Sequence, residues 1–107
     1  MTDSEFEAAA EAALDALERA LETAAPEADL ERTSGGVLEI EFPNGTKMVI
    51  NRHAAARELW VAAKSGGFHF RFDGGAWRDS RDGTELFAAL SALASAQSGT
   101  PLRLAPG

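Results

Sequence analysis

The chain has 107 residues, 17 acidic against 10 basic side chains, a formal net charge of −7 and no cysteine. One domain is expected at this length; the missing cysteines exclude disulfides, thiolate metal sites, cluster ligation by this chain and cysteine nucleophiles, and suit a reducing cytosol. No apolar run approaches the ~18 residues of a membrane span, the acidic start Met1–Glu7 is unlike a targeting peptide, so no removed segment is expected, and the negative balance opposes nucleic acid and anionic lipid.

Residues 3–24 read as a helix, because Phe6, Ala10, Leu14, Leu17 and Leu21 recur at steps of four and three. Thr2 with Glu5, or Ser4 with Glu7, offers a capping box, and Pro26 ends the helix. The chain then alternates with period two. Leu38, Ile40 and Phe42 face one way and Glu39 and Glu41 the other; Met48 and Ile50 continue that apolar face after Pro43-Asn44-Gly45. A two-residue Asn-Gly loop would place Phe42 opposite Lys47 and split the apolar face. A three-residue loop places Ile40 opposite Met48, Leu38 opposite Ile50 and Glu41 opposite Lys47, with Gly45 left-handed.

Two further strands are predicted at Glu58–Ala63 and Phe68–Phe72, joined by a Ser65-Gly66-Gly67 turn. Alternation sends Leu59 and Val61 inward and Trp60 outward with Glu58, and it groups Phe68, Phe70 and Phe72 on one face. A short strand around Trp77, read as core, precedes a helix over 85–97 with Leu86, Phe87, Leu90, Leu93 and Ala94 on its stripe. Residues 98–107 read as a loosely docked extension of a single domain. Helix, antiparallel strands and helix give an α+β two-layer sandwich, with both helices on one face of the sheet.

The sharpest chemical feature is the row Glu7, Glu11, Asp15, Glu18, Glu22, spaced four, four, three and four, which forms one ridge about 100° from the apolar stripe. Four like-charged neighbour pairs cost on the order of 1–2 kcal/mol together, and Arg19 is the one base expected nearby. Asp29 and Glu31 are expected to extend the ridge. Residues 1–41 carry twelve acids against Arg19 and Arg32, a balance of −10, while residues 42–107 balance at +3. Such a ridge is a solvated helix face, a cation ridge for hard ions such as iron, manganese, calcium or magnesium, or a docking face for a basic partner. An outward Trp60 is a candidate binding anchor. His53 and His69 read as ordinary surface side chains, and no nucleophile–base pair or phosphate loop is visible.

Asp3-Ser4-Glu5-Phe6, Gly35-Gly36-Val37-Leu38, Asn44-Gly45, Ile50-Asn51-Arg52, Leu59-Trp60, Gly66-Gly67-Phe68-His69-Phe70, Trp77 and Asp82-Gly83 together resemble the frataxin family, in order and spacing, over residues 3–97. The resemblance is strongest to its bacterial members. It implies the same two-layer fold and weak binding of ferrous and ferric iron along the ridge, at Glu11, Glu18 and Glu22 with Asp3, Asp29 and Glu31 nearby. With Glu7 and Asp15 these make up the candidate metal-binding carboxylates. It further implies that Glu11, Glu18 and Glu22 meet the basic surface of a cysteine desulfurase. Asn51, Arg52 and Trp60 match the family's surface positions on the sheet, which contributes contacts within the assembly that includes the cluster scaffold protein. The implied role is regulation of iron–sulfur cluster assembly, possible iron donation included, with no catalytic residue, in the bacterial cytoplasm, by a chain monomeric without metal. Where the family has paired acids late in the first helix, this chain has Arg19, Thr23, Ala24 and Ala25. Single carboxylates disfavour bidentate or two-metal binding, and so disfavour the competing reading of a ferroxidase. A third reading is an acidic interaction module that mimics nucleic acid toward a basic partner.

Overall fold

Phe6, Ala10, Leu14, Leu17 and Leu21 are all buried along one side of α1 (Asp3–Ala24), the first element of the computed structural model, which describes residues 1–106. Thr2 and Glu5 form the capping box. The Thr2 hydroxyl accepts from the Glu5 N–H at 3.1 Å, and the Glu5 carboxylate accepts from the Thr2 N–H at 2.7 Å. That backbone bond from Thr2, joined by its hydroxyl, holds the Glu5 carboxyl below its ordinary pKa. The helix ends at Ala25, one residue before Pro26.

Six strands follow: β1 (Asp29–Thr33), β2 (Val37–Glu41), β3 (Lys47–His53), β4 (Glu58–Ala63), β5 (Gly66–Asp73) and β6 (Ala76–Asp79). They pair strictly in chain order, every pair antiparallel. Ile40 lies opposite Met48, Leu38 opposite Ile50 and Glu41 opposite Lys47, the register of the three-residue loop. The Phe42 N–H donates to the Thr46 carbonyl, and Gly45 takes φ +84°. The next hairpin differs from expectation. Ala63 pairs with Gly66 and Ala62 with Gly67, so the turn is Lys64-Ser65 and β5 starts two residues before Phe68. The glycines serve as strand residues here, with Gly66 at φ +143° beside the tight turn.

The second helix, α2 (Leu86–Ser98), is capped by Glu85, whose carboxylate accepts from the Phe87 and Ala88 N–H groups, and is closed by Gly99 in the left-handed conformation. Leu86, Phe87, Leu90 and Ala94 enter the same core as α1 and the inward faces of β2 to β6. Both helices therefore cover one sheet face. Phe70 is fully buried beneath them, whereas Phe72, toward the end of its strand, is 40% exposed. Trp77 lies opposite Phe72 and is 5% exposed, its ring edge-on to Phe6 at 6.1 Å.

The tail is held more tightly than a loosely docked extension. Ser95 Oγ accepts from the Leu102 N–H and Ser91 Oγ accepts from the Leu104 N–H, each at 2.8 Å. Two hydroxyls one helical turn apart thus align the strap, and Leu104 is buried against α2. Among the described residues, no helix is long and apolar enough to cross a membrane.

Trp77→Ala should cost about 3–5 kcal/mol, the usual loss for a truncated core tryptophan. Phe72→Ala, at a partly exposed neighbouring position, should cost less than half as much. Thermal or denaturant unfolding of both variants decides the matter, and equal losses would refute this account of the core.

Candidate functional site

The middle three of the five ridge carboxylates, Glu11, Asp15 and Glu18, project from α1 toward β1. These three are not free. Arg32, on β1, donates to Glu11 at 2.6 Å, to Asp15 at 2.8 Å and to Glu18 at 3.1 Å. Arg52, on β3, donates to the other Glu11 oxygen at 2.7 Å. Arg19, the base expected to relieve the ridge, makes no ion pair among the described residues; the relief comes from the sheet instead. Burial opposes the charge of Arg32, but its bonds to Asp15 and Glu18 and the nearby Glu11 charge outweigh that, and its pKa is raised. Glu7 and Glu22 are exposed and carry no ion pair among the described residues, while Asp3 pairs with Arg57 at 2.8 Å.

Strand alternation explains why Arg32 is available. Leu30 pairs with buried Ile40 and Arg32 with buried Leu38, so both face the helix layer. The same parity turns Asp29 and Glu31 to the open face of the sheet, so they do not extend the ridge as expected. There Asp29 lies opposite Glu41 and Glu31 opposite Glu39. Like charges directly opposed destabilise a strand pair, and Lys47 answers them, with its ammonium 3.2 Å from Glu39. The hydrogen bond to Glu39 and the charges of Glu39, Glu41 and Glu31 raise the Lys47 pKa. The acidic side of the molecule is thus a band that wraps from α1 around β1 onto the open face of β2.

Asn51 and Trp60 are register partners on that open face, as expected. Arg52 is not with them. It pairs with buried Leu59, one residue out of phase, and points to Glu11 in the helix layer. Trp60 is also less free than an exposed anchor would be. Its indole lies between His53 and His69, nearly parallel to both, at centroid distances of 3.7 and 4.6 Å. Its Nε1–H donates to Glu58 at 2.8 Å, and Arg71 Nε donates to the other carboxylate oxygen at 2.7 Å. Glu58, read from alternation as an exposed neighbour, is only 6% exposed. Burial disfavours its charge, but the bonds from Arg71 and Trp60 prevail and hold its pKa below the ordinary 4.5. The histidine pair was not legible as a stack, because His53 and His69 lie on different strands and come together only around Trp60, His69 as its register partner and His53 from the diagonal position opposite Glu58.

A depressed carboxylate pKa adds stability above the unfolded-state value and loses it as pH falls through the folded value. Trp60→Phe keeps a ring in the stack and deletes one donor to Glu58. It should cost about 1–3 kcal/mol near neutral pH, the range for leaving a buried acceptor short of a partner. The gap from wild type should narrow as pH falls from the ordinary carboxylate value of 4.5 through the lower folded-state value and Glu58 is protonated. A gap unchanged across that range would separate Glu58 from the effect.

The donor set of the ridge is oxygen only, which suits hard cations, iron among them. Among the described residues, no three carboxylates or imidazoles form a group that could hold a metal ion. The ridge therefore fits hydrated, weakly held cations at single carboxylates and does not fit a caged ion.

Comparison with known proteins agrees with this architecture. Residues 1–100 match the sequence profile described as a frataxin-like domain. The chain is 54% identical over 104 residues to the iron–sulfur cluster assembly protein CyaY of Dechloromonas aromatica, covering 97% of this chain and 99% of that one. It is 53% identical over 106 residues to CyaY of Paraburkholderia phymatum, covering 99% and 100%. Its structure matches the bacterial frataxin of Psychromonas ingrahamii with a TM-score of 0.87 at 32% identity, over 96% of this chain and 97% of the other. A trimeric yeast frataxin complexed with ferrous iron matches with a TM-score of 0.66 at 28% identity, over 90% and 87% of the two chains. With the two-layer sandwich, the register of its strands and a match over residues 1–100 in agreement, the chain belongs to the frataxin-like family.

Proposed function

We propose that this chain serves iron–sulfur cluster assembly in the bacterial cytoplasm as a non-catalytic, iron-binding regulator. It docks on the cysteine desulfurase and cluster scaffold through its acidic band and is monomeric without metal. The observation that carries this reading is its likeness, along nearly its whole length, to proteins named for iron–sulfur cluster assembly. The charge distribution supplies a mechanism. Glu7, Glu22, Asp29, Glu31 and Glu41 have no ion pair among the described residues, the first two on α1 and the other three on the open face of β1 and β2. A basic partner surface is steered toward that band and held by many weak, screened contacts. Ferrous or ferric iron, carried as cargo at single carboxylates, partly neutralises the band and so lowers its attraction for a basic surface. Iron availability thereby adjusts docking with no bond made or broken in the chain, and a donor role would use the same weak hold. Asn51 and the rim of the Trp60 stack supply a second contact on the open sheet face.

Retention of the chain on immobilised desulfurase with its scaffold, with and without ferrous iron, tests the reading. Binding should weaken steeply as ionic strength passes ~0.1 M, where the screening length is about 10 Å. Glu18→Gln with Glu22→Gln should weaken it several-fold more than Asp73→Asn with Asp82→Asn, a pair that removes the same charge elsewhere. Equal losses would contradict a localised band. Oxidation of ferrous iron at a catalytic rate, abolished by the ridge pair, would favour the ferroxidase instead.

A further inference from the structure

Arg32 stands in the ridge as a ligand would. Its two terminal nitrogens meet Glu11, Asp15 and Glu18, which lie on successive turns of α1, and its side chain is 18% exposed. These three carboxylates are its only side-chain hydrogen-bond partners among the described residues. Arg52 is held differently. It comes from the interior strand β3, touches Glu11 alone, and lies against Gly36 so closely that an added Cβ there would fall 2.8 Å from its Nε. Arg32 belongs to β1, an edge strand paired on one side only, with one row of backbone groups left without a strand partner. Arg52 is thus packed against the backbone at Gly36, whereas the side-chain hydrogen bonds of Arg32 all run to the three carboxylates.

Building on the reading of the ridge as a cation and docking surface, we infer that Arg32 is a built-in competitor for it: an autoinhibitory guanidinium that a cation or a partner's basic side chain must displace to reach Glu11, Asp15 and Glu18. The three carboxylates carry −3 and the two arginines +2, which leaves −1 at the middle of the ridge. Without Arg32 the same place carries −2. Arg32 therefore sets how tightly the ridge holds anything positive. It also favours a partner that presents arginine, because the site is already shaped to a planar fork of donors, which an ammonium does not match.

The test uses Mn2+ as a hard divalent probe, titrated against the full chain and read by paramagnetic broadening of the backbone amide signals around Glu11, Asp15 and Glu18. In Arg32→Gln the dissociation constant should fall about ten-fold or more, the factor expected for removing one unit charge about 6 Å from a divalent ion in a water-like medium. Arg78→Gln, which removes the same charge from the opposite sheet edge, should leave it within two-fold. If Arg32→Gln does not fold, Arg32→Lys takes its place. It keeps the charge but loses the fork, so affinity should rise at least two-fold. Unchanged affinity in the Arg32 variant, or equal gains from Arg32 and Arg78, would overturn the inference and leave the ridge reading standing. Absence of broadening along α1 in every protein would overturn both.

Discussion

Five carboxylates in one row along α1 repel each other, and the guanidinium groups of Arg32 and Arg52 hold that row against the sheet. The apolar stripe of α1 fixes which side of the helix is buried, but it does not by itself make the charged side tolerable. Two arginines from two different strands do so. They reach Glu11 from both sides and fasten the helix across positions 21 and 41 residues apart in the chain. Salt would weaken an exposed pair of this kind, yet both arginine side chains are about four-fifths covered, and screening acts less on covered charges. The acidic face is therefore part of what closes the fold.

Most of the fold was legible because each element repeats its own signal. The stripe of α1, the alternation of β2 to β4, and the parity argument that selects a three-residue loop all depend on residues close in the chain. The misreadings share one cause. Whether Asp29 and Glu31 join the ridge, whether Arg52 sits beside Trp60, and which base relieves Glu11 all depend on which face a strand residue takes once paired. Asn51 and Arg52 are adjacent in sequence and lie on opposite faces of the sheet. Leu30 carried a usable signal, since an apolar residue on β1 implies that Arg32, two positions on, points the same way. The burial of Glu58 had no such signal, because it follows from Arg71 and Trp60 meeting over it from two strands.

Family membership and chemistry bear on different questions. The likeness over residues 1–100 gives the fold and the process in which relatives are named. The placement of individual charges shows how this chain departs from a uniform acidic surface. Its ridge is half neutralised from within, its second acidic patch faces the other way, and its tryptophan is enclosed between two imidazoles. The acidic side is therefore a graded surface, most open at the ends of α1 and along β1, and most guarded at its centre.

The strict chain order of the sheet has a consequence for synthesis. Every strand pairs with its immediate neighbour in sequence, so each hairpin can close as soon as its second strand has emerged. α1 cannot complete its burial in this way. Phe6 rests against Trp77, and the core it enters also includes Leu90 and Leu104. Burial of the apolar stripe of α1 is thus completed only once β6, α2 and the strap have been made, so part of it stays in water while the sheet is assembled. During that interval like charge along the row of carboxylates beside the stripe opposes association between chains that still expose it.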